Sequence, residues 1–183
     1  MMRIVPLVLV SLAFSLSSCK KLSDLNFTIL RVPLSQDFRM QVDTIAGGSS
    51  DSAFFSITKS LDLNSNMDYL TSRSKLLQVD IEKVEYQIKY IGEGSGDSLI
   101  EAKFEFRESG ATNFQLLTSD SNRKLVKDLV KEMPINAEEK QKLAEIFKSN
   151  NPIVEIRCSG RMNKRPLDFI IAPVIHLSLK NKI

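Results

Sequence analysis

The sequence has very few of the side chains on which catalytic and metal sites usually depend. Its 183 residues include one histidine, two cysteines and no tryptophan. A single histidine excludes a two-histidine metal site within one chain, and Cys19 and Cys158 lie too far apart for zinc-type spacing. The formal net charge of +3 is too small to indicate a nucleic-acid-binding protein. We therefore expect no metal, no cofactor and no nucleic-acid partner.

An apolar stretch near the N-terminus ends at a cysteine that two lysines follow. After Arg3, residues 4–14 carry almost no polar group, and SLSSC follows at 15–19. A positive start, a short apolar core and small residues are typical of a secretory signal peptide. The core is shorter than the roughly 20 residues that a membrane-spanning helix needs. The LSSC segment at 16–19 resembles the lipobox of bacterial lipoproteins, in which an aliphatic and two small residues precede the cysteine.

The resemblance implies a lipid-anchored protein of the bacterial cell envelope. Residues 1–18 are then a cleaved signal peptide, Cys19 carries the acyl chains (palmitate among them), and residues 19–25 form a tether to the membrane. Because Lys20 rather than aspartate follows the cysteine, the resemblance favours the outer membrane over the inner one. Some surface-exported lipoproteins carry an acidic run after the cysteine, and its absence from KKLSD at 20–24 favours the side that faces the periplasm. An ordinary secretory signal with a chance cysteine is the alternative.

Residues 26–183 suffice for one domain with a sizeable core. Apolar and polar residues alternate with period two, and turn signals such as GEGSGD at 92–97 separate the alternating stretches. Strands with one buried and one solvent-exposed face are typical of antiparallel sheets. The predicted inward sets are Phe38, Met40 and Val42; Ile100, Ala102, Phe104 and Phe106; Val154, Ile156, Cys158, Gly160 and Met162; and Phe169, Ile171, Ile175, Leu177 and Leu179.

The stretch LLQVDIEKVEYQIKYI at 76–91 changes its inward face partway along. A β-bulge near Glu82 and Lys83, or a strand that bends from one sheet to the other, would produce this change. The two sets of opposite parity are Val79 and Ile81, and Val84, Tyr86, Ile88 and Tyr90.

Three stretches have helical patterns: residues 64–72, residues 121–133, which precede Pro134, and residues 136–150, which begin with Asn136 as the predicted N-cap. We therefore predict a mainly β fold, an antiparallel β-sandwich of immunoglobulin-like or Greek-key type with about eight strands. A helical segment at about 122–149 would place two helices before the last two strands.

Candidate chemistry is sparse in the folded part. By parity His176 lies on the polar face of the last strand without a visible partner, which indicates a surface or rim position. Cys158 has the parity of a buried face, and apolar burial makes a thiol inert. The glycines of GEGSG precede a strand rather than a helix, so they predict a hairpin turn and no phosphate site. We predict no catalytic residue and a non-enzymatic binding or structural role, with an envelope protein or a glycan as partner.

Two other functions stay open at this point. A carrier of an apolar ligand such as a lipid would need an internal cavity lined by residues such as Tyr86, Tyr90, Phe104 and Phe106. A hydrolase built on paired carboxylates has no fixed spacing in sequence, so the sequence does not exclude it.

Three triplets resemble the O-glycosylation motif of Bacteroidetes, an aspartate followed by Ser or Thr and then a small or aliphatic residue. The candidate acceptors are Thr44, Ser52 and Ser98. They border predicted loops, which accept a bulky group without disturbing a sheet. Because that system acts outside the inner membrane, the resemblance implies that a lipoprotein of this kind would be modified.

Overall fold

The computed structural model describes residues 27–42, 53–92, 98–163 and 167–183. Within these ranges the chain forms nine β-strands and two α-helices. The strands are β1 Phe27–Ser35, β2 Phe38–Val42, β3 Ala53–Asp62, β4 Leu76–Ile91, β5 Ser98–Glu108, β6 Gln115–Lys124, β7 Val130–Met133, β8 Ile153–Met162 and β9 Leu167–Lys182. The helices are α1 Met67–Ser72 and α2 Ala137–Lys148.

The strands form two antiparallel sheets. Sheet A has the order β1-β9-β4-β7, with β2 also paired to β9, and sheet B has the order β3-β8-β5-β6. Ser35 of β1 lies opposite Val174 and Phe38 of β2 opposite Ile171, so β1 and β2 act as one interrupted edge strand along β9. This strand order is that of two Greek keys, the jelly-roll form of the β-sandwich. The predicted mainly β, Greek-key sandwich is therefore confirmed, and its order differs from the immunoglobulin arrangement.

The apolar faces of the two sheets form the core. The predicted inward residues of β8 and β9 are buried, apart from Gly160, which is partly exposed, and so are Phe38 and Met40 of β2. In β5 the prediction for Ile100 is wrong: it is partly exposed, and Leu99 is buried in its place. A register shift between Leu99 and Glu101 causes the difference, because a bulge changes which residues face inward.

The change of inward face in β4 comes from a β-bulge within one sheet. The register with β9 shifts between Ile81 and Lys83, so the bulge predicted there is confirmed. A second shift, between Ile88 and Tyr90, turns Tyr90 outward and leaves it 38% exposed. The prediction that Tyr90 faces inward is therefore wrong. The other five predicted inward residues are buried, namely Val79, Ile81, Val84, Tyr86 and Ile88.

The helix predicted over residues 121–133 is not formed, because β6 and β7 occupy most of this stretch. Asn122 and Asp128 have positive φ angles of 51° and 63°, which interrupt a right-handed helix. The Asp128 N–H donates to the Ile88 carbonyl at 2.7 Å, and the Ile88 N–H donates to the Leu129 carbonyl at 3.0 Å. Pairing with the edge of β4 thus outweighs a local helical pattern whose stability in isolation is marginal. Between β6 and β8 the described chain therefore has one α-helix, α2, where two were predicted.

The other two predicted helices are confirmed. The Asn66 side chain accepts a hydrogen bond from the Tyr69 N–H at the start of α1, and the Asn136 side chain accepts one from the Glu139 N–H at the start of α2. These contacts satisfy backbone donors that the first helical turn leaves free. Neither of these helices combines the length and the apolar content of a membrane span.

Candidate functional site

His176 lies on the outer face of sheet A, next to a carboxylate and an ammonium group. Its Nε2 is 2.8 Å from Glu85 Oε1, and Lys83 Nζ is 2.6 Å from Glu85 Oε2. The hydrogen bond from Lys83 lowers the pKa of Glu85, with a smaller contribution from His176, against the opposing effect of burial. The His176 side chain is 27% exposed, as expected for a rim position.

The expectation that His176 has no partner is wrong. Glu85 lies 91 residues away in sequence, and only the pairing of β4 with β9, which sets Lys83 opposite His176, brings the groups together. Among the described residues, this pair makes no hydrogen bond to a hydroxyl or thiol. The arrangement therefore differs from a nucleophile–base–acid triad.

Cys158 is a core residue of sheet B, as predicted. Its side chain is fully buried on the inward face of β8, and the thiol is free. Burial raises the pKa of the Cys158 thiol far above its ordinary value, so the reactive thiolate is not populated near neutral pH. His176 lies on the outer face of the other sheet, so the two residues do not form a Cys/His pair.

Asp120 joins the two sheets through a network that sequence reasoning missed. The Tyr86 hydroxyl of sheet A donates to Asp120 Oδ2 at 2.9 Å, and Lys131 Nζ lies 2.6 Å from the same oxygen. Burial opposes ionisation of Asp120, but hydrogen bonds from Lys131, Arg123 and Tyr86 outweigh it and lower its pKa to about 2. The network therefore links β6 of sheet B to β4 and β7 of sheet A.

The outer face of sheet B has one half in which the charges are paired, which we call the paired half. Arg157 donates to both carboxylate oxygens of Glu105, at 2.7 and 2.8 Å, and Arg107 lies 2.6 Å from Glu155. The Phe114 ring lies near both guanidinium groups, with the Cζ atoms of Arg107 and Arg157 at 4.3 and 4.1 Å from its centroid. These contacts leave little charge in this half for a ligand.

The other half of the same face contains a cleft of about 500 Å³, which we call the sheet-B cleft. It is lined by Phe54, Phe55, Ser56, Glu101, Lys103, Ser159 and Gly160. The register sets Arg161 of β8 opposite both Phe54 and Glu101. Even so, the salt bridges among the described residues include none from Glu101, Lys103 or Arg161.

The sheet-B cleft offers both an apolar surface and hydrogen-bonding groups. Phe54 is 66% exposed, although phenylalanine is usually buried. Arg161 Nε is buried and has no hydrogen-bond partner within the described part of the chain. Gly160 adds no side chain to the wall. Sequence alternation marked Glu101 and Lys103 only as outward-facing, because the register that brings them near Phe54 is not visible in a local pattern.

Of the predicted modification sites, the structure describes Ser98, while Cys19, Thr44 and Ser52 lie outside the described residues. Ser98 is the first residue of β5 and is partly buried. Its N–H donates to Asn163 Oδ1 at 3.2 Å, and its carbonyl accepts from the Asn163 N–H at 3.0 Å. Acylation of Cys19 and glycosylation of the three acceptors stay predictions.

The rings considered as the lining of a carrier cavity pack against each other or face solvent. Tyr86 and Phe104 stack with their centroids 5.8 Å apart, and Phe106 is buried in the same core cluster. Tyr90 lies on the outside. These positions weaken the case for a carrier of an apolar ligand.

Two carboxylates line a groove of about 420 Å³ between β4 and α2. Asp80 accepts a hydrogen bond from Gln78 at 2.7 Å, and Glu145 accepts one from Gln141 at 2.9 Å. Each of the two carboxylates thus accepts from an amide side chain of its own strand or helix. Across residues 27–42, 53–92, 98–163 and 167–183, no three His, Cys, Asp or Glu side chains are grouped so that they could hold a metal ion.

The chain matches no protein-family model and no curated protein. Among solved structures it is similar to the decameric BFDV capsid protein, with 8% identity, 83% of this chain and 99% of that chain covered, and a TM-score of 0.47. It is also similar to Desmodium yellow mottle tymovirus, with 7% identity, coverage of 85% and 90%, and a TM-score of 0.35. For turnip yellow mosaic virus the identity is 8%, the coverage 85% and 96%, and the TM-score 0.32. The fold assignment rests on the strand order described above.

Proposed function

We propose that this chain is a lipid-anchored protein of the bacterial cell envelope, whose β-sandwich binds a ligand and catalyses no reaction. The LSSC segment at 16–19 supports the anchor, with Cys19 as the acylated residue. Each buried methylene of an acyl chain adds about 0.8 kcal/mol, so two or three chains on Cys19 hold a protein at the outer membrane. Lys20, in place of aspartate, supports the outer rather than the inner membrane, and the lack of an acidic run in KKLSD at 20–24 supports its periplasmic side.

The observation that carries the binding role is the contrast between the two halves of the outer face of sheet B. In the paired half, cross-strand charges neutralise each other, as between Glu105 and Arg157. In the sheet-B cleft, Glu101, Lys103 and Arg161 lie on adjacent strands without an ion pair to any described residue. Arg161 Cζ lies 5.9 Å from the centroid of the Phe54 ring. A ligand that lies on Phe54 would therefore meet charged groups that no described residue pairs.

A glycan is the ligand whose chemistry fits the sheet-B cleft best. Its hydroxyl groups both donate and accept hydrogen bonds, so they can contact the carboxylate of Glu101 as well as the ammonium group of Lys103. One face of a sugar ring is made of C–H groups and can lie on the flat ring of Phe54. The volume of about 500 Å³ falls in the range of small-ligand sites, roughly 300–1,000 Å³.

The anchor is tested by changing Cys19 to alanine. In a bacterial host grown with labelled palmitate, the native chain should carry the label and lose residues 1–18. The Cys19→Ala chain should stay unlabelled and uncleaved, because the acylated thiol is missing. Cys158→Ala is the matched control and should keep the label. A labelled Cys19→Ala chain would contradict the anchor.

The sheet-B cleft is tested with a panel of envelope oligosaccharides and isothermal titration calorimetry. For a sugar that binds the native domain, Phe54→Ala and Glu101→Gln should each weaken binding by about tenfold or more, since one lost contact of roughly 1.4 kcal/mol gives this factor. Thr58→Ala is the control, because Thr58 lies on the same face next to the paired half. Equal affinity of the native, Phe54→Ala and Glu101→Gln proteins for the sugar would show that the sheet-B cleft is not its binding site.

A further inference from the structure

One end of the sandwich gathers exposed apolar side chains. We call it the proximal end; it comprises residues 27–29, 67–77 and 180–183. Phe27 at the start of β1 lies opposite Lys182, and Leu76 at the start of β4 lies opposite Asn181, so these segments meet around the last residues of β9. Half of the ten exposed large hydrophobic side chains among the described residues are here, namely Ile29, Met67, Leu70, Leu77 and Ile183.

Helix α1 contributes a short apolar face to the proximal end. Tyr69 is buried and holds the helix against the body of the protein. Met67 and Leu70 are three residues apart, so they lie on the same side of the helix, and both are exposed. Because both side chains are exposed, they add no stability to the sandwich itself.

Basic side chains surround these apolar groups. Arg73, Lys75 and Lys182 are exposed, and Lys180 Nζ lies 4.0 Å from the centroid of the Phe27 ring. Within the segments of the proximal end, Asp68 is the only acidic side chain. Asp62 lies close enough to act electrostatically on Tyr69 as well. Four cationic side chains against these two carboxylates still favour a negatively charged partner.

The tether places the same end near the proposed anchor. Seven residues, 20–26, separate Cys19 from Phe27. Even a fully extended chain covers at most about 3.6 Å per residue, so Phe27 stays within roughly 30 Å of the acylated cysteine. Of the whole sandwich, the proximal end is therefore the part that the anchor holds closest to the lipid, at a high effective concentration.

We infer that the proximal end is a membrane-contact surface that docks on an anionic lipid bilayer, an inference that rests on the proposed anchor at Cys19. Met67, Leu70 and Leu77 enter the interface between headgroups and acyl chains, where apolar side chains leave water. Lys75 and Lys182 contact lipid phosphates and keep their charges in the headgroup layer. The outer face of sheet B, with the sheet-B cleft, extends away from the membrane and stays open to ligand.

The test measures how close three positions come to lipid in the full acylated chain. Met67→Cys, Leu77→Cys and Phe54→Cys are each labelled with an environment-sensitive fluorophore; the acyl group blocks Cys19, and burial protects Cys158. Phe54 is the control, because it lies at the opposite end of β3 from α1. The proteins are placed in vesicles of phosphatidylcholine and phosphatidylglycerol that contain a lipid-attached quencher.

We expect several-fold stronger quenching at positions 67 and 77 than at position 54, and a decrease at both when phosphatidylglycerol is omitted. The combined changes Met67→Asp and Leu70→Asp should abolish the quenching at position 77 while the protein still floats with the vesicles.

Equal quenching at all three positions in floating protein would refute the membrane-contact surface and leave the anchor intact. Protein that does not float with the vesicles would overturn both proposals. A concentration-dependent spectral shift at position 67 without lipid would identify a second copy as the occupant and refute membrane docking.

Discussion

Replacing Phe104 with alanine is expected to lower the free energy of unfolding by about 3–5 kcal/mol, the usual cost of removing a buried phenylalanine. Phe104 is fully buried in β5, and its ring stacks on Tyr86 of the opposite sheet with centroids 5.8 Å apart. The substitution therefore removes apolar contacts from both sheets and leaves a cavity that the paired strands cannot easily close. Tyr86 also holds Asp120 through its hydroxyl, so loosening its ring would disturb the network that joins the sheets.

The measurement is urea unfolding of the mature domain, followed by circular dichroism and by tyrosine fluorescence. Phe54→Ala is the matched control: it removes the same ring from a position that is 66% exposed, and it should change the free energy of unfolding by less than about 1 kcal/mol. Similar costs at positions 54 and 104 would contradict the described burial of β5. A coincident transition by both probes would confirm that the two sheets unfold together.

Replacing Gly160 with alanine is expected to cost about 3 kcal/mol, at the upper end of the usual penalty for overpacking. A Cβ atom on Gly160 would overlap the Glu101 carbonyl oxygen and lie 2.7 Å from Phe55 Cζ and 3.0 Å from Ala102 Cα. Two of these obstacles are backbone atoms of the neighbouring strand, so a side-chain rotation cannot remove them. The bulge between Leu99 and Glu101 lies beside this contact, where the register of β5 with β8 shifts.

Ser159→Ala is the control for Gly160→Ala, because Ser159 is the preceding residue of β8 and faces outward into the sheet-B cleft. It should change the free energy of unfolding by no more than about 0.5 kcal/mol, as is usual for surface positions. The comparison uses thermal unfolding of both variants under the same conditions. An unfolding midpoint of Gly160→Ala that equals that of the native domain would show that β5 and β8 are further apart than described.

Several features of the fold could be predicted because their signals are local. The alternation in β8 and β9 shows which face is buried, since successive side chains of a strand point to opposite sides. Asn136 followed by Glu139 marked the start of α2, because the cap is completed within one helical turn. The parity change near Glu82 and Lys83 revealed the bulge for the same reason, as one extra residue reverses the alternation within a few positions.

Features that depend on pairing could not be predicted in this way. Residues 121–133 have a helical apolar stripe, but hydrogen bonds between Asp128, Leu129 and the edge of β4 decide their conformation. The contact of His176 with Glu85 joins positions 91 residues apart. No window of the sequence contains both partners, so neither a helical nor a strand period could indicate these contacts.

By itself, the sequence determined the β-rich composition, the faces of most strands, two of the helices and the lipobox-like segment that ends at Cys19, because each is encoded in neighbouring residues. Only the tertiary structure decided the jelly-roll strand order, the partner of His176, the register that gathers Glu101, Lys103 and Arg161 at the sheet-B cleft, and the apolar proximal end. These features depend on which strands become neighbours and in what register. That choice follows from the burial of the whole core and the pairing of all strands together, so it is a property of the folded chain rather than of any segment.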